Sequence, residues 1–482
     1  MRETGAVLVA GVDCSTQATK VVVVDADDGT VVAQGRAAHP WRFEGGRSET
    51  HPTAWSEALA DALAQTGRSG EVAAVAAAAQ QHGLVAVGPD GEPLRPAVLW
   101  NDTRSAAEAA ALVSDFGAQW WADTVGSVPV AAFTVTTWAW LRSVEPETAE
   151  AAVALRLPHD WLTEALCGRG VTDRGDASGT GWWAAPSGRY VEEVLDHPAV
   201  FLDPGLLPEV LGPTEVAGEV TAAAAEQFGL PAGTVVGPGT GDNMAAALGL
   251  GLEPGEEVLS LGTSGTVYTV ALAPAADASG VVAGFADATG LYLPLACTLN
   301  ATLAVDRVSG WLGLDRDDVA PDAGSAICLP YFDGERTPDL PAATATLTGL
   351  THETTPSQVL RASYEGVVVS LLDALDRVGG NGSGGGGEAP LVVVGGGARG
   401  STWLDVVARL SGRSLVVPEA EELVALGAAA QAAALVTGEE PDAVARRWGT
   451  RRGAFVEAVE PDTATLDRHA AVRWALGELN AG

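Results

Sequence analysis

Two aspartates stand where a carboxylate group could do chemistry. Asp13 ends the first apolar run of the chain, and Asp242 follows the glycine turn PGTG and opens an alanine-rich stretch. A carboxylate at the end of a strand can hold a magnesium ion through its hydration shell. A carboxylate presented by a rigid turn can accept the proton of an attacking hydroxyl group, although an aspartate at a helix start often serves only as a cap. Asn243 follows as an amide that could orient Asp242.

Three loops have compositions suited to phosphate groups. DCSTQATK, at residues 13–20, offers the hydroxyl and backbone N–H groups of a tight turn, and Lys20 would add a positive charge. GTSG, at 262–265, repeats this design in the second half, and GGGAR, at 395–399, lets a flat nucleotide approach the backbone. A single DxST segment is as typical of a polar turn as of a phosphate loop. The repetition favours phosphate binding, although neither a Walker A motif nor a dinucleotide fingerprint occurs.

Two polar segments of the first half could bind a sugar. AQQHG, at 79–83, places Gln81 and His82 at the end of a predicted strand, where both can hydrogen-bond hydroxyl groups. In LWNDTR, at 99–104, an aromatic ring that could form an apolar wall for a sugar precedes two polar side chains: Trp100, Asn101 and Asp102. Taken alone, a histidine such as His82 is more often a structural residue whose hydrogen bonds are satisfied.

The candidate residues follow apolar, β-branched runs that predict the strands of an α/β protein. The first half is predicted to form a three-strand meander, a helix and two further strands, at 6–12, 20–25, 30–38, 53–66, 72–79 and 84–88. The second half is predicted to form two strands, a helix, a strand, a helix and a strand, at 256–261, 265–271, 357–378, 391–394, 401–412 and 414–417. The repeated layout indicates two α/β domains that meet near residues 240–255, with a cleft between them.

Two further segments are predicted to do no chemistry. Residues 379–387, GGNGSGGGG, have the composition of a flexible surface loop. Residues 440–482 look helical, and the basic cluster within them is predicted to be a solvated helix face: Arg446, Arg447, Arg451 and Arg452.

The composition limits the classes of partner. The 482 residues carry a formal charge of −35, with 62 acidic against 27 basic side chains, and Lys20 is the only lysine. Nucleic acids and anionic membranes select basic patches, so this charge argues against both. A hydrophobic content of 47% with 18% charged residues argues against disorder. We predict no signal peptide and no membrane span, and four widely spaced cysteines suit a reducing cytoplasm.

The ordered set of motifs resembles the FGGY carbohydrate kinases of the actin-like ATPase superfamily. The resemblance covers nearly the whole chain, and its motifs appear in the family's order: GVDCSTQATK (11–20), AQQHG, LWNDTR, LPHDWL (157–162), TDRGDASGT (172–180), GTGDN, SLGTSG (260–265), LPYFDGERTP (329–338), VVGGGAR and ALGAAAQAA (425–433). Each motif alone is weak, whereas the ordered set is specific. The resemblance implies two actin-like (ribonuclease H-like) ATPase domains, 1–244 and 245–482, with a catalytic cleft between them.

The resemblance also implies roles for residues within these motifs. Asp242 is implied as the general base and Asp13 as a catalytic residue near the γ-phosphoryl group, and both are implied to bind Mg²⁺. The implied sugar site adds six residues to Asp242: Gln81, His82, Trp100, Asn101, Asp102 and Asn243. The implied ATP site consists of two phosphate loops and an adenosine loop: Thr16, Lys20, Gly262, Thr263, Gly396, Gly397 and Ser401.

The implied reaction is ATP-dependent phosphorylation of a ketopentose, with D-xylulose to D-xylulose 5-phosphate as the first expectation. Glycerol kinases of the family carry Arg-Glu where this chain has Gln81-His82, whereas its pentulose kinases carry a histidine there. Ribulose, another ketose or an alditol stays open as the substrate, and so does a homodimer. A non-catalytic actin-like nucleotide switch is the alternative of another class. It would share the phosphate loops but would not need Asp242 or the sugar motifs.

Two residues depart from the family pattern. Ser15 stands where the DxGT loop of the family has glycine, so Ser15 is expected to adopt a backbone conformation that a side chain tolerates. Thr137 stands where many relatives have lysine, and nothing in the sequence explains that change.

Overall fold

The structure is a computed structural model that describes residues 6–338, 340, 342–380 and 389–480. Most of the predicted glycine-rich loop, residues 381–387, lies outside the described residues. No helix of the described residues is both long enough and apolar enough to cross a membrane.

The described chain alternates strands and helices. The strands are β1 (Leu8–Cys14), β2 (Ala18–Asp25), β3 (Val31–Ala38), β4 (Arg42–Glu44), β5 (Arg47–Thr50), β6 (Val72–Ala79), β7 (Val85–Val87), β8 (Ala97–Val98), β9 (Ala154–Arg156), β10 (Val171–Asp173), β11 (Trp183–Ala184), β12 (Arg189–Tyr190), β13 (Glu209–Leu211), β14 (Gly218–Glu219), β15 (Val235–Val236), β16 (Thr240–Gly241), β17 (Glu257–Leu261), β18 (Gly265–Thr269), β19 (Ala283–Ala286), β20 (Tyr292–Thr298), β21 (Ile327–Leu329), β22 (Thr346–Thr348), β23 (Leu391–Val394), β24 (Leu415–Pro418) and β25 (Gly453–Val456). The helices are α1 (Pro52–Thr66), α2 (Ala106–Phe116), α3 (Ala118–Thr124), α4 (Thr134–Val144), α5 (Pro146–Ala151), α6 (Pro158–Cys167), α7 (Arg174–Ala177), α8 (Glu192–Leu195), α9 (Ala222–Phe228), α10 (Asp242–Gly249), α11 (Thr302–Leu312), α12 (Pro356–Gly380), α13 (Ser401–Ser411), α14 (Leu423–Thr437), α15 (Pro441–Trp448) and α16 (Thr463–Asn480).

These elements form two compact units, each assembled from three chain segments. The first unit contains the described part of Met1–Leu252 together with Leu272–Leu293 and Ala420–Thr450. The second contains the described parts of Glu253–Ala271, Pro294–Glu419 and Arg451–Gly482. The division at residues 244 and 245 stays a prediction, because it assigns the sugar site, the first phosphate loop and Asp242 to one part and the second phosphate loop and the adenosine loop to the other.

The first unit is organised around a mixed sheet with the strand order β14-β15-β6-β1-β2-β3. The predicted meander is confirmed, since β1 pairs antiparallel with β2 and β2 pairs antiparallel with β3. On its other edge β1 pairs parallel with β6. Strand β2 is covered by α1 and α14, and the side chains of its four consecutive valines, Val21 to Val24, are at most 2% exposed. A strand covered on both faces is expected to read as a continuous apolar run.

Small residues let α14 approach its neighbours closely. A Cβ atom on Gly11 of β1 would lie 1.9 Å from the carbonyl oxygen of Ala425 in α14. A Cβ atom on Gly427 of α14 would lie 1.9 Å from the carbonyl oxygen of Ala245 in α10. Gly249 makes the reciprocal approach from α10, where a Cβ atom would lie 2.0 Å from the carbonyl oxygen of Leu423. The alanine- and glycine-rich sequence therefore fixes α10 against α14 at backbone distance.

The second unit contains a sheet whose strands run in the order β20-β18-β17-β23-β24-β25. The predicted strands at 256–261, 265–271, 391–394 and 414–417 correspond to β17, β18, β23 and β24. The predicted helices at 357–378 and 401–412 correspond to α12 and α13. Aromatic packing joins these two helices, with 4.4 Å between the ring centroids of Tyr364 and Trp403.

The prediction that 440–482 is helical is only partly right. Helices α15 and α16 occupy much of the segment, but β25 lies between them and pairs antiparallel with β24. The basic cluster is accordingly split, because α15 ends at Trp448, before Arg451 and Arg452. Arg451 forms an ion pair with Glu256 in the second unit and is not part of a solvated helix face.

His469 of α16 makes folding sensitive to acid. The side chain is 1% exposed, and burial, helped by the neighbouring charge of Arg468, lowers its pKa to about 4. Between pH 6.5 and 4 the unfolded chain binds a proton that the folded chain does not, so stability falls as the pH falls. The shift corresponds to ~3 kcal/mol at most. We expect His469→Phe to reduce the loss of unfolding free energy between pH 7 and pH 5, measured by urea denaturation. If the wild-type chain and the variant lose the same unfolding free energy, His469 is not the origin of the sensitivity to acid.

Candidate functional site

Asp242 is presented by a tight turn, as the sequence predicts. Strand β15 leads to Gly239, whose φ of 77° is in the left-handed region that favours glycine. A side chain at this position would clash, because a Cβ atom would lie 2.5 Å from the carbonyl oxygen of Ala77. Gln431 of α14 is 1% exposed and binds both backbone groups of Gly239, accepting from its N–H at 3.0 Å and donating to its carbonyl at 3.2 Å. Asp242 then begins α10.

The Asp242 carboxylate is linked to the predicted sugar residues. Its Oδ1 accepts hydrogen bonds of 2.8 Å from the backbone N–H and from the side-chain amide of Asn243. The same amide donates to Oε1 of Gln81 at 3.1 Å. Gln81 is 5% exposed, and its Nε2 has no hydrogen-bond partner among the described residues. Asp242, Asn243 and Gln81 therefore form one connected group with an unused amide donor.

Lys20 lies between two carboxylates. Asp13 and Lys20 are directly opposite each other on β1 and β2, with 3.5 Å between Asp13 Oδ2 and Lys20 Nζ. The ammonium group is closer to Glu422, at 2.6 Å. Glu422 is a non-glycine residue with left-handed backbone angles, φ 53° and ψ 44°, at the residue before α14. Burial alone would lower the pKa of Lys20, but the two carboxylates outweigh it and raise that pKa.

Burial raises the pKa values of both candidate catalytic aspartates. Burial raises the pKa of Asp13 to about 6, although the charge of Lys20 opposes the shift. Burial raises the pKa of Asp242 to about 7, and the charges of Asp13 and Asp176 add to it. A carboxylate with a pKa near the working pH is suited to general base catalysis, because it combines a populated charged form with affinity for a proton.

His82 has a strained backbone and a fixed ring. Its φ of 68° is in the left-handed region, which is uncommon for a residue other than glycine. Its Nδ1 lies 2.7 Å from the carbonyl oxygen of Gly179, so Nδ1 carries the hydrogen and Nε2 of the neutral ring is an acceptor. The ring stacks on Phe133, with centroids 5.0 Å apart. Gly179 permits this approach, because a Cβ atom there would lie 2.7 Å from the imidazole.

A buried histidine, His159, lies among three aspartates close to His82. Nδ1 of His159 is 2.8 Å from Oδ2 of Asp176, and both side chains are fully buried. Nε2 of His159 lies 3.2 Å from Asp160 and 3.7 Å from Asp173. Burial would lower the pKa of His159, but the surrounding carboxylates raise it to about 9. The carboxylates therefore favour the imidazolium form of His159, while burial raises the pKa values of Asp160 and Asp176.

The remaining predicted sugar residues differ in their surroundings. The Trp100 side chain is 38% exposed, and its indole N–H donates to Thr16 Oγ1 at 3.2 Å. Asn101 is half-buried, and its Oδ1 has no hydrogen-bond partner among the described residues. Asp102 is 2% exposed, and its carboxylate accepts from the backbone N–H of Ser48 and from Arg104. Its oxygens are thus already engaged, and the prediction that Asp102 contacts a sugar gains no support from this geometry.

Ser15 and Thr137 are accommodated without strain. Ser15 is outside the left-handed region, and both its N–H and its hydroxyl group donate to the carbonyl oxygen of Ala18. The serine thus closes the turn between β1 and β2 where the family has glycine. Thr137 is 3% exposed within α4, and nothing in the structure explains why it replaces a lysine.

In the second unit the structure brings together the second phosphate loop and the adenosine loop. Gly262 and Thr263 connect β17 to β18, and Thr263 is exposed. Gly397 lies against β17, since a Cβ atom there would be 2.7 Å from Cβ of Leu261, the residue before Gly262. Exposed Gly396 precedes it, and exposed Ser401 begins α13.

The second phosphate loop is held by the start of α11. The N–H of Thr302 donates to the carbonyl oxygen of Gly262 at 3.1 Å. Glu335 is 1% exposed and fixes the preceding residues, because it accepts from the N–H of Leu299 at 2.5 Å and from the side chain of Asn300 at 3.0 Å. A buried carboxylate thereby orders the residues just before α11, the helix whose first residue binds this loop.

The donor set near Asp242 is compatible with a magnesium ion. Asp13 and Asp242 lie close enough for the charge of one to raise the pKa of the other, and both offer oxygen atoms, which Mg²⁺ prefers. Within the described residues, no three side chains of the types His, Cys, Asp and Glu converge on one metal position. Mg²⁺ usually keeps several waters and takes few ligands from the protein, so two carboxylates suffice.

Several residues of the site gave no separate signal in the sequence. Glu422 precedes an alanine-rich helix in an acidic pair and has no spacing that links it to Lys20, 402 positions away. Asp173 and Asp176 lie within the quoted motif TDRGDASGT, where an aspartate followed by another three residues later reads as a helix cap. Asp173 is such a cap, since it accepts from the N–H groups of Gly175 and Asp176.

Models of the two domains of the FGGY family of carbohydrate kinases match the chain. The model described as the N-terminal domain matches residues 8–249, and the model described as the C-terminal domain matches residues 258–436.

Individual relatives cover almost all of the chain. A xylulose kinase of Streptomyces rubiginosus is 57% identical over 467 residues, which are 96% of this chain and 95% of the relative. A xylulose kinase of Streptomyces coelicolor is 57% identical over 465 residues, which are 96% and 95% of the two chains. The crystal structure of xylulose kinase from Bifidobacterium adolescentis superposes with a TM-score of 0.84 at 36% identity, and covers 97% of this chain and 99% of that one.

Proposed function

The chain belongs to the FGGY family of carbohydrate kinases, and on this premise we propose that it phosphorylates D-xylulose to D-xylulose 5-phosphate with ATP. The substrate follows from the xylulose kinases that match the chain over nearly its whole length. The observation that carries the chemistry is the desolvated carboxylate of Asp242, which is joined through Asn243 to Gln81, the residue next to His82.

Asp242 acts as the general base. Its carboxylate accepts the proton of the attacking hydroxyl group of the ketose as the oxygen approaches the γ-phosphorus atom of ATP. Asn243 holds one carboxylate oxygen with two hydrogen bonds of 2.8 Å, which leaves the other oxygen for the substrate proton. The rigid turn at Gly239 fixes the carboxylate position in advance, so little reorganisation is needed during the reaction.

Gln81 and His82 bind the hydroxyl groups of the sugar. Gln81 offers the unused Nε2 donor, and Nε2 of His82 is assigned as an acceptor for a hydroxyl group of the sugar. This pair discriminates against substrates that lack the matching hydroxyl groups, because a buried donor left unpaired costs about 1–3 kcal/mol. Trp100 and Asn101 are proposed to border the same sugar.

The phosphate and metal assignments are part of the proposal. Thr16 and Lys20 are assigned to the first phosphate loop, and the second phosphate loop and the adenosine loop are assigned the remaining ATP contacts: Gly262, Thr263, Gly396, Gly397 and Ser401. Asp13 and Asp242 would hold Mg²⁺, largely through water. When bound, Mg²⁺ would neutralise negative charge on the phosphate oxygens.

A coupled assay of ADP formation tests the function. The purified chain is given ATP, Mg²⁺ and in turn D-xylulose, ribulose, other ketoses, glycerol and alditols. We expect ADP formation to depend on the sugar and to be fastest with D-xylulose, with a phosphate ester as the product. Faster turnover of another ketose or polyol would reassign the substrate within the family. ATP binding without sugar-dependent turnover of any compound would favour a nucleotide switch.

Removing the only lysine is expected to impair the use of ATP. In Lys20→Ala the charge that faces Asp13 and Glu422 disappears, so the phosphate groups meet two uncompensated carboxylates. We expect KM for ATP to rise at least tenfold, as for the loss of a charge-assisted contact of about 1.5–3 kcal/mol. Calorimetric titration with D-xylulose should give nearly the wild-type affinity. An equal loss of sugar affinity would show that Lys20 is not a phosphate ligand.

A reducing cytoplasm is the proposed location. Cys14 and Cys328 are buried thiols and Cys167 is a partly buried thiol, which suits that compartment.

A homodimer is kept as a proposal, and sedimentation equilibrium of the purified chain would test it.

A further inference from the structure

We propose that His159 is a positioning residue, which through the carboxylate of Asp176 fixes the backbone and ring of His82 and so sets the affinity for the ketose. The inference deepens the proposed function and rests on it, because it takes His82 as a sugar contact. His159 and Asp176 lie in the segments LPHDWL and TDRGDASGT, to which the proposed reaction has so far assigned no role.

His82 needs support because its conformation is unfavourable by itself. A left-handed backbone is unfavourable for a residue with a side chain, because Cβ approaches the following carbonyl oxygen. Three groups hold it in place. The backbone N–H of His82 lies near the carboxylate of Asp176 and favours its ionised form, Thr134 Oγ1 donates to the carbonyl oxygen of His82 at 3.0 Å, and the carbonyl oxygen of Gly179 accepts from Nδ1 at 2.7 Å.

The short helix α7 and the turn after it connect two of these groups. Asp176 is in α7, and the N–H of Gly179 donates to the carbonyl oxygen of Asp176 at 2.9 Å. A displacement of Asp176 would therefore move both the carboxylate near the His82 backbone N–H and the carbonyl oxygen that accepts from the His82 ring. The position of Asp176 decides where Nε2 of His82 points.

Asp176 is itself held by His159. The distance from Oδ2 of Asp176 to Nδ1 of His159 is 2.8 Å, and neither side chain is exposed. An ionised carboxylate without a partner at full burial costs several kcal/mol, so Asp176 depends on this contact. The surrounding carboxylates keep His159 protonated, which makes the hydrogen bond charge-assisted.

A second set of contacts leads from His159 toward Asp242. Asp173 lies 3.7 Å from Nε2 of His159, and its Oδ2 accepts from the hydroxyl group of Thr240 at 2.7 Å. Thr240 is two residues before Asp242 in the same turn. His159 thus contacts through Nδ1 the aspartate on the side of His82, and lies near Asp173, on the side of Asp242, through Nε2.

Two polar substitutions of His159 distinguish the roles of its two ring nitrogens. His159→Asn places an amide donor near the position of Nδ1, where it can still donate to Asp176. His159→Gln places its donor near the position of Nε2 and leaves Asp176 without one. A matched control is His469→Asn, which makes the same change at another fully buried histidine, in the second unit. KM for D-xylulose, KM for ATP and kcat are measured for each, with sugar affinity from calorimetry without nucleotide.

We expect His159→Gln to raise KM for D-xylulose at least tenfold, the cost of one hydrogen bond to a charged group, with KM for ATP within twofold of the wild-type value. His159→Asn should retain most of the sugar affinity, and His469→Asn should change stability without changing either KM. Because KM does not depend on the concentration of active enzyme, a variant that folds only in part still decides the question.

Equal KM values for D-xylulose in His159→Gln and His159→Asn would overturn the proposal, since a role in packing alone does not distinguish the two nitrogens. An equal rise of KM for ATP would overturn it too, because the effect would not act through the sugar. The wild-type chain tests the proposed function separately. If it phosphorylates another ketose and not D-xylulose, the proposed substrate is wrong, and the same comparison is made with that ketose.

Discussion

Replacing Asp242 by asparagine should lower kcat for sugar phosphorylation by about 10²–10⁴, the range for loss of a positioned general base. Asparagine keeps the size of the side chain and can keep a hydrogen bond with Asn243, so the turn and α10 should persist. It cannot accept the proton of the hydroxyl group. ATP should still bind, because the assigned nucleotide contacts lie on other residues and Asp13 would remain to hold Mg²⁺.

The measurement combines single-turnover kinetics with calorimetric titration of ATP and of D-xylulose. Asp61→Asn serves as the charge control, since Asp61 is an exposed residue of α1 in the same unit and its loss changes the net charge equally. The control should keep wild-type kcat. If Asp242→Asn phosphorylates the sugar at close to the wild-type rate, Asp242 is not the general base. This conclusion would hold for any sugar that the chain phosphorylates.

Gly427→Ala should destabilise the first unit by ~3 kcal/mol, a value at the upper end for overpacking of a well-packed contact. The added Cβ atom would lie 1.9 Å from the carbonyl oxygen of Ala245, and this neighbour is backbone, so α10 as a whole must move. Alanine gains up to ~1 kcal/mol of helix propensity over glycine, which is too little to compensate. Since Asp242 begins α10, kcat should fall together with stability.

Gly310→Ala in α11 is the matched control. It makes the same chemical change within a helix, but no atom lies within 4 Å of the added Cβ atom. Only the higher helix propensity of alanine should then change the stability. The control should be as stable as the wild-type chain or more stable by up to ~1 kcal/mol. Urea denaturation measures both variants. If Gly427→Ala is also stabilised, the close approach of α10 and α14 is not a tight constraint.

The parts of the fold that follow from local pattern could be predicted from the sequence. The valine run of β2 and the apolar run of β6 have the length and β-branched or small composition of buried strands, and both are strands of the central sheet. The turn before Asp242 was predictable because the sequence PGTGD combines glycine, which tolerates the positive φ seen at Gly239, with an aspartate of the kind common at helix starts. Strand β25 was not, since GAFV is short and only its pairing with β24 makes it a strand.

The parts of the site that depend on residues close in sequence were predictable. The parts that depend on tertiary contacts were not. Asp13 and Lys20 face each other because the turn between β1 and β2 sets their register. Nothing local brings Glu422 to Lys20 or His159 to Asp176, because these pairs are 402 and 17 positions apart and only the tertiary fold places their elements side by side. The left-handed conformation of His82 was also invisible, since no glycine or asparagine marks it.

The single lysine has a use as a reporter. A lysine-specific endoprotease has one cleavage site in this sequence, the bond from Lys20 to Val21. That bond lies within β2, which is hydrogen-bonded to β1 on one side and β3 on the other. Cleavage therefore requires opening of the central sheet of the first unit, and its rate measures the population of that open state. One band shift on a gel would thus follow the unfolding of this unit alone, with or without sugar and ATP.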